Sequence, residues 1–175
     1  MTRLPRGLLI GTLLFGMLVA DDGAGAGSSR VKLAYPGKAW AFVVDLPGFD
    51  MQPPGRTMDG VMVEGANETS GLVVSIFLEK AARNGDAVAC RKHYWKKTRK
   101  SPMPKTNVML SERGSMAVVE YLIPSFMELP INQKNYNAYM SHDGVWIDVH
   151  LSKVAFEPAD TALFEAVLRS IRIGK

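Results

Sequence analysis

The clearest pattern of apolar and polar positions surrounds Asp143-Gly144, in the stretch NYNAYMSHDGVWIDVHLSKV. An Asp-Gly pair between two alternating segments is typical of a β-hairpin with a two-residue type I′ turn. Counting outward from this turn pairs Met140 with Ile147 and Tyr139 with Asp148, and such cross-strand partners point to the same side of a sheet. One predicted face is apolar or aromatic, comprising Tyr136, Ala138, Met140, Ile147, Val149 and Leu151. The opposite face is polar and aromatic, comprising Asn137, Tyr139, Ser141, Trp146, Asp148 and His150.

Shorter apolar runs predict further strands. The run WAFVVDL indicates a buried strand from Trp40 to Leu46, which Pro47-Gly48 ends. GVMVEGA and LVVSIFLEKA, separated by NETSG, indicate a second antiparallel hairpin. SMAVVEYLIP indicates another strand, and a loop is predicted from Pro124 to Pro130.

Two segments predict helices. The first begins at Asn84 or Asp86, both good N-cap residues, and ends near Arg99, before Ser101-Pro102. The second is PADTALFEAVLRSIRI, whose apolar stripe comprises Leu163, Phe164, Val167, Leu168 and Ile171. Strands in succession with two helices predict an α+β fold with an antiparallel sheet flanked by helices.

The amino terminus predicts export. Two arginines precede an uncharged, mostly apolar run of 14 residues from Gly7 to Ala20, which is shorter than the roughly 20 that a membrane-spanning helix needs. Ala24-Gly25-Ala26 then gives a small-x-small cleavage pattern. We therefore expect a signal peptide at 1–26, a flexible lead at 27–37 and one domain at 38–175. Cleavage near Ala26 would leave a periplasmic or extracellular protein with no stable membrane span; the alternative is an uncleaved amino-terminal anchor.

Composition narrows the function classes. Hydrophobic residues make up 47% of the chain and charged residues 22%, which is ordinary for a globular domain. The net charge of +4 favours anionic partners only weakly. Cys90 is the only cysteine, so an intrachain disulfide and Cys-rich zinc patterns are excluded.

Four segments follow one another in an order that resembles the PsbP/DcrB-like superfamily: WAFVVDLPGF, ERGSMAVVEYLIP, NYNAYMSHDGVWIDVHL and LFEAVLRSIRI. The resemblance covers most of residues 38 to 173 and is one of hydrophobic pattern. It implies an α/β/α sandwich of the kind shared with Mog-type proteins. It also implies a non-catalytic accessory or binding protein, often exported, with no catalytic residues or cofactor to assign.

The first predicted helix carries a cluster of bases without an acid among them: Arg91, Lys92, Lys96, Lys97, Arg99 and Lys100. On a helix these positions fall mostly outside the apolar stripe of Ala87, Cys90 and Tyr94. The cluster is interpreted as a solvated helix face, or as a patch for an anionic envelope component or acidic protein. Export argues against nucleic acid as the partner.

The polar hairpin face is the only constellation that resembles a site. Asp148 and His150 could orient a general base or supply two metal ligands, but either use requires a third partner that the sequence does not provide. The preferred interpretation is a contact surface for a ligand or partner protein, with Tyr139 and Trp146 as amphipathic anchors beside Asn137. We therefore predict no catalytic or metal site.

The predicted function is that of an exported, non-enzymatic binding protein contacting a partner protein or envelope component. An alternative is a small-molecule or lipid carrier with an apolar pocket between sheet and helices. A second alternative is a metal-binding or hydrolytic site at Asp148 and His150.

Overall fold

The computed structural model describes residues 30–82 and 85–174. The predicted signal peptide, the first residues of the predicted lead and the candidate helix start at Asn84 lie outside them. The described elements, in chain order, are β1 (Arg30–Ala34), β2 (Ala41–Asp45), β3 (Asp50–Met51), β4 (Gly55–Arg56), β5 (Gly60–Asn67), β6 (Leu72–Lys80), α1 (Ala87–Thr98), β7 (Thr106–Arg113), β8 (Met116–Phe126), β9 (Leu129–His142), β10 (Val145–Lys153), α2 (Thr161–Ser170) and β11 (Arg172–Gly174).

Most of the strands form one large antiparallel sheet in the order β3-β5-β6-β10-β9-β8-β7, with β4 also paired to β5. The predicted hairpin between β9 and β10 is confirmed, including the pairing of Met140 with Ile147 and of Tyr139 with Asp148. Asp143 and Gly144 both have positive φ angles, 48° and 75°, as a type I′ turn requires. Local turn chemistry and alternation therefore determine the centre of the sheet.

The apolar face of this hairpin lies in the main core. Tyr136, Ala138 and Ile147 pack there with residues of β5 and β6, with the small sheet β1-β2-β11, and with α2. Helix α2 contributes Phe164, Val167 and Leu168, which are part of its predicted stripe. The same face carries an ion-paired group in which Arg113 and Lys134 both contact the buried carboxylate of Glu120, at 2.6 and 3.1 Å.

Helix α1 covers part of the opposite face. It begins after Asp86, whose carboxylate accepts a hydrogen bond from the Ala89 backbone N–H at 2.8 Å, as the N-cap prediction requires. Cys90 is fully buried there, in a second apolar cluster with Tyr139 and Trp146. The chain thus has an α+β fold that is mostly antiparallel sheet with two short helices. In the described part of the chain, no helix is both long and apolar enough to cross a membrane.

Three sequence-based expectations about element boundaries are wrong. Part of the predicted flexible lead is strand β1, because Arg30–Ala34 pairs along its full length with β2. The loop predicted from Pro124 to Pro130 is a two-residue turn, since β8 continues to Phe126 and β9 begins at Leu129. The second helix ends at Ser170, because Ile171 is extended and the following residues join β2 as β11.

Strand β7 was not predicted from the sequence. It lies at one edge of the large sheet and exposes Val108, Met109 and Leu110. Its pairing with β8 shifts register between Thr106 and Met109, where Asn107 has a φ of 51°. This β-bulge bends the outer part of the edge strand.

Candidate functional site

The five residues predicted as a contact surface do share one side of the large sheet. Across the β9–β10 ladder, Asp148 faces Tyr139 and His150 faces Asn137. Trp146 lies two residues closer to the turn than Asp148, on the same side of the sheet. The alternation therefore predicted correctly that the five residues share one face. It did not predict that this face is largely buried.

Tyr139 and Trp146 cannot act as surface anchors, because both are buried. The ring of Tyr139 stacks on that of Tyr94 from α1 with their centroids 6.0 Å apart. The indole Nε1 of Trp146 donates a 2.7 Å hydrogen bond to the carbonyl of Gly85, in the segment that precedes α1. Asn137 is also buried, so the prediction of an open contact surface at these residues is wrong. Helix α1 occupies the position that a partner would have taken.

Asp148 is half-buried on this covered face of the sheet. Its carboxylate accepts a long 3.5 Å hydrogen bond from the Asn137 amide. Burial raises the pKa of Asp148 to about 7, and the nearby Glu79 carboxylate adds to the rise. The side chain is therefore close to half-protonated at neutral pH.

His150 has a separate partner and the opposite shift. Its Nε2 lies 3.0 Å from Oδ1 of Asn135, and burial lowers its pKa to about 4. A neutral imidazole and a carboxyl group of raised pKa, each held by a different amide, do not form the oriented acid–base pair that hydrolysis needs. Within residues 30–82 and 85–174, no group of three or more His, Cys, Asp or Glu side chains could hold a metal ion.

Sequence reasoning missed the polar contact that fixes α1 to the sheet. The hydroxyl of Tyr94 donates a 2.5 Å hydrogen bond to Oε2 of Glu79 on β6. His93 lies beside Trp146, with ring centroids 5.3 Å apart, and Trp95 packs on Tyr121 at 5.3 Å. The spacing of apolar residues along the helix predicted that one side of it faces inward. It could not predict which strands that side contacts, because those strands, such as β6 and β8, lie elsewhere in the sequence.

The outward side of α1 presents most of the predicted basic cluster to solvent. Lys92, Lys96, Lys97, Arg99 and Lys100 are all exposed, and no carboxylate of the described residues lies within ion-pair distance of them. Lys97 lies over the ring of Tyr94, with its Nζ 5.6 Å from the centroid. The sixth base, Arg91, is different, because it donates to the Ser111 carbonyl at 2.9 Å and faces Glu112 at 3.8 Å.

Elsewhere on the molecule, bases are more often neutralised. Asp45 binds both Arg30 and Arg172, and these two guanidinium groups hold its pKa down at about 2. Lys38 pairs with Asp143, and Lys153 lies 3.5 Å from Asp160. Among the described residues, the exposed side of α1 therefore carries more unpaired positive charge than these ion-paired parts of the surface.

A cavity of about 260 Å³ lies on the opposite side of the molecule, between α2 and the sheets. Its lining is mostly apolar and includes Phe49, Leu72, Leu163 and Val167. This volume is slightly below the range of roughly 300–1,000 Å³ that is usual for small-molecule sites.

Comparison with known proteins supports the fold and not the function. No family model matches the chain, and no curated protein matches its sequence. The solution structure of cyanobacterial PsbP (CyanoP) from Synechocystis sp. PCC 6803 superimposes with a TM-score of 0.54 at 13% identity, over 90% of this chain and 99% of that one. The fold is PsbP-like. A crystal structure from Bacteroides thetaiotaomicron VPI-5482 matches with a TM-score of 0.51 at 12% identity, over 77% of this chain and 45% of that one.

Proposed function

We propose that this protein is an exported, non-enzymatic binding protein whose basic α1 surface holds an anionic component of the cell envelope. The basic α1 surface is defined as Lys92, Lys96, Lys97, Arg99 and Lys100. We further propose that the helices on both faces of the PsbP-like sheet correspond to the α/β/α layering that the sequence resemblance implies. Export rests on the predicted leader, and the intact mass of the secreted protein tests it, with cleavage after Ala26 expected.

One observation carries the binding proposal: five exposed cations, three on α1 and two directly after it, lack carboxylate partners among the described residues. The inward side chains Cys90, Tyr94 and Trp95 fix that helix on the sheet. The charges therefore sit on a rigid platform, and little backbone order has to be gained on binding. Unpaired surface cations steer and retain polyanions in a salt-dependent way.

Heparin serves as a defined polyanion with which to test the proposal. Replacing Lys92, Lys96 and Lys100 with glutamine is expected to lower the salt concentration at which the protein elutes from heparin, while the melting temperature stays nearly unchanged. The matched control removes the same charge elsewhere, by replacing the exposed residues Arg56, Lys80 and Arg169 with glutamine. Equal losses in the two triple variants would show that only net charge matters, and the proposal would fail.

The carrier function is a second candidate because of the apolar cavity beside α2. It predicts that native mass spectrometry detects a retained small molecule and that Ala166→Phe, which fills the cavity, removes it. A mass equal to that of the bare polypeptide would exclude a tightly held ligand.

A further inference from the structure

One end of the large sheet carries exposed apolar side chains that the core does not use. Strands β8 and β9 are joined there by Met127-Glu128, and Met127 is 80% exposed and Leu129 67%. Val154, 54% exposed, belongs to the same end, because the adjoining Ala155 N–H donates to the Ile131 carbonyl at 2.9 Å. We name Met127, Leu129 and Val154 the apolar tip.

The turn at the tip conflicts with ordinary turn chemistry. Met127 and Glu128 have φ angles of 48° and 67°, a region that favours glycine and asparagine and strains other side chains. The β9–β10 hairpin solves the same geometric problem with Asp143-Gly144. Met127 belongs to neither apolar cluster of the core, and such conflicts between a residue and its local backbone are characteristic of functional sites.

The basic α1 surface extends toward this same end. Helix α1 starts near the β9–β10 turn, where Gly85 accepts from Trp146, and passes Tyr121 at Trp95. After it, Met103 packs in one cluster with Ile123 and Ile131, close to the tip. Arg99 and Lys100 therefore lie on the side of the molecule from which the tip projects.

The dimensions fit a bilayer surface. The last pairing between β7 and β8 is Thr106 with Leu122, and the hairpin continues four residues beyond it to Phe126. At about 3.3 Å per residue the tip projects roughly 13 Å. Side chains of peripheral proteins enter the headgroup boundary by about 5–10 Å. Bases on the same side of the molecule add attraction to anionic headgroups, over a range of about one Debye length.

We propose that the apolar tip and the end of α1 form a docking surface for an anionic phospholipid bilayer. The inference rests on the proposed function, since it names the envelope component that the basic α1 surface binds. Met127, Leu129 and Val154 enter the interface, and Arg99 and Lys100 contact lipid phosphates. Glu128 is the carboxylate at the turn itself and opposes the attraction.

Vesicle cosedimentation tests this docking. The wild-type chain is expected to bind phosphatidylcholine vesicles that contain phosphatidylglycerol and to bind pure phosphatidylcholine weakly. The variant Met127→Asn/Leu129→Thr removes the two most exposed side chains of the apolar tip and gives the turn a residue that tolerates positive φ. It should lose at least about tenfold in vesicle affinity and keep its heparin elution. Glu128→Gln should gain affinity for the anionic vesicles, by roughly fivefold at most. All variants have the same length as wild type, so any contribution of residues 1–26 cancels.

A fluorescent label measures the orientation directly. Because Cys90 is buried, Met127→Cys introduces a single accessible thiol for an environment-sensitive dye. Its emission should shift to the blue with anionic vesicles. The control is Met58→Cys, which is 86% exposed near the opposite end of the strands, where Asp59 accepts from Lys80, and should not shift.

The outcomes separate the two proposals. Vesicle binding that Met127→Asn/Leu129→Thr leaves unchanged, or a label at Met127→Cys that does not shift, would overturn the docking inference. Retention on heparin through α1 would then still support the proposed function and indicate an anionic partner other than a bilayer. Loss of both interactions in the wild-type chain would overturn both.

Discussion

Asp148 and His150 make opposite contributions to the pH dependence of stability, and single substitutions should expose each one. The native pKa of Asp148 is raised from 3.8 to about 7, so between these values the folded protein holds a proton that the unfolded chain has released. Its stabilising contribution is complete below pH 3.8 and is lost as the pH rises through 7. His150 has a native pKa lowered from 6.5 to about 4, so its contribution is present above 6.5 and is lost as the pH falls.

The two effects overlap between pH 4 and 6.5. Each group changes the free energy of unfolding by at most about 1.4 kcal/mol per pH unit. Across the overlap each therefore contributes up to roughly 3 kcal/mol, with opposite signs, and the sum in the wild-type protein is small. In Asp148→Asn only the contribution of His150 remains, so the free energy of unfolding should rise steeply with pH. In His150→Gln only the contribution of Asp148 remains, so the free energy of unfolding should fall as the pH rises.

Urea denaturation followed by tryptophan fluorescence across this range measures the effect. The difference between wild type and variant is the relevant quantity, because Asp45, Asp143 and His93 also have shifted pKa values and contribute equally to both proteins. The double variant Asp148→Asn/His150→Gln is the control, and its profile should run parallel to that of wild type. Profiles of Asp148→Asn that run parallel to wild type would show that the carboxylate titrates normally and is not desolvated.

Three further predictions concern the packing of the fold. Tyr139 has a buried hydroxyl without a hydrogen-bond partner in the described chain, so Tyr139→Phe should stabilise the protein by about 1 kcal/mol in a melting assay. Tyr94→Phe removes the hydrogen bond to Glu79 and should destabilise the protein by a similar amount in the same assay. Cys90 is fully buried and burial raises its pKa, so Ellman's reagent should label it only after denaturation; rapid labelling of native protein would contradict the packing of α1. Gly60→Ala would place a Cβ 1.8 Å from the Leu78 carbonyl and should cost at least about 2 kcal/mol in urea denaturation, while Gly55→Ala, which meets only Met62 at 3.6 Å, should be nearly neutral; equal stabilities would refute this close approach.

The sequence was most informative where the determinants are local. Asp143-Gly144 and the alternation beside it predicted both the turn and the register of β9 and β10. Asp86 predicted the start of α1 in the same way. The loop expected at Pro124 shows the limit of such rules, because a proline is tolerated where the ladder is already interrupted, here at the register shift between Ile123 and Ser125.

Burial of the polar hairpin face could not be predicted from the sequence. Whether Tyr139 meets solvent depends on where α1 docks, and that is decided by contacts such as Tyr94 with Glu79 and Trp95 with Tyr121. The helix periodicity nevertheless separated Cys90 and Tyr94 from the outward bases. Five of the six bases are exposed, as the periodicity indicates. Arg91 is the exception, because it contacts Ser111 on β7, a strand that was not predicted.

The position of the bulge in β7 has a consequence for the protein in concentrated solution. Asn107 is the second residue of the strand, so the bulge leaves the edge from Met109 to Arg113 uninterrupted. An edge strand that exposes Val108, Met109 and Leu110 is a template for the addition of a strand from a neighbouring molecule, which is the first step of fibril growth. Any covering of this edge has to come from outside the strand itself.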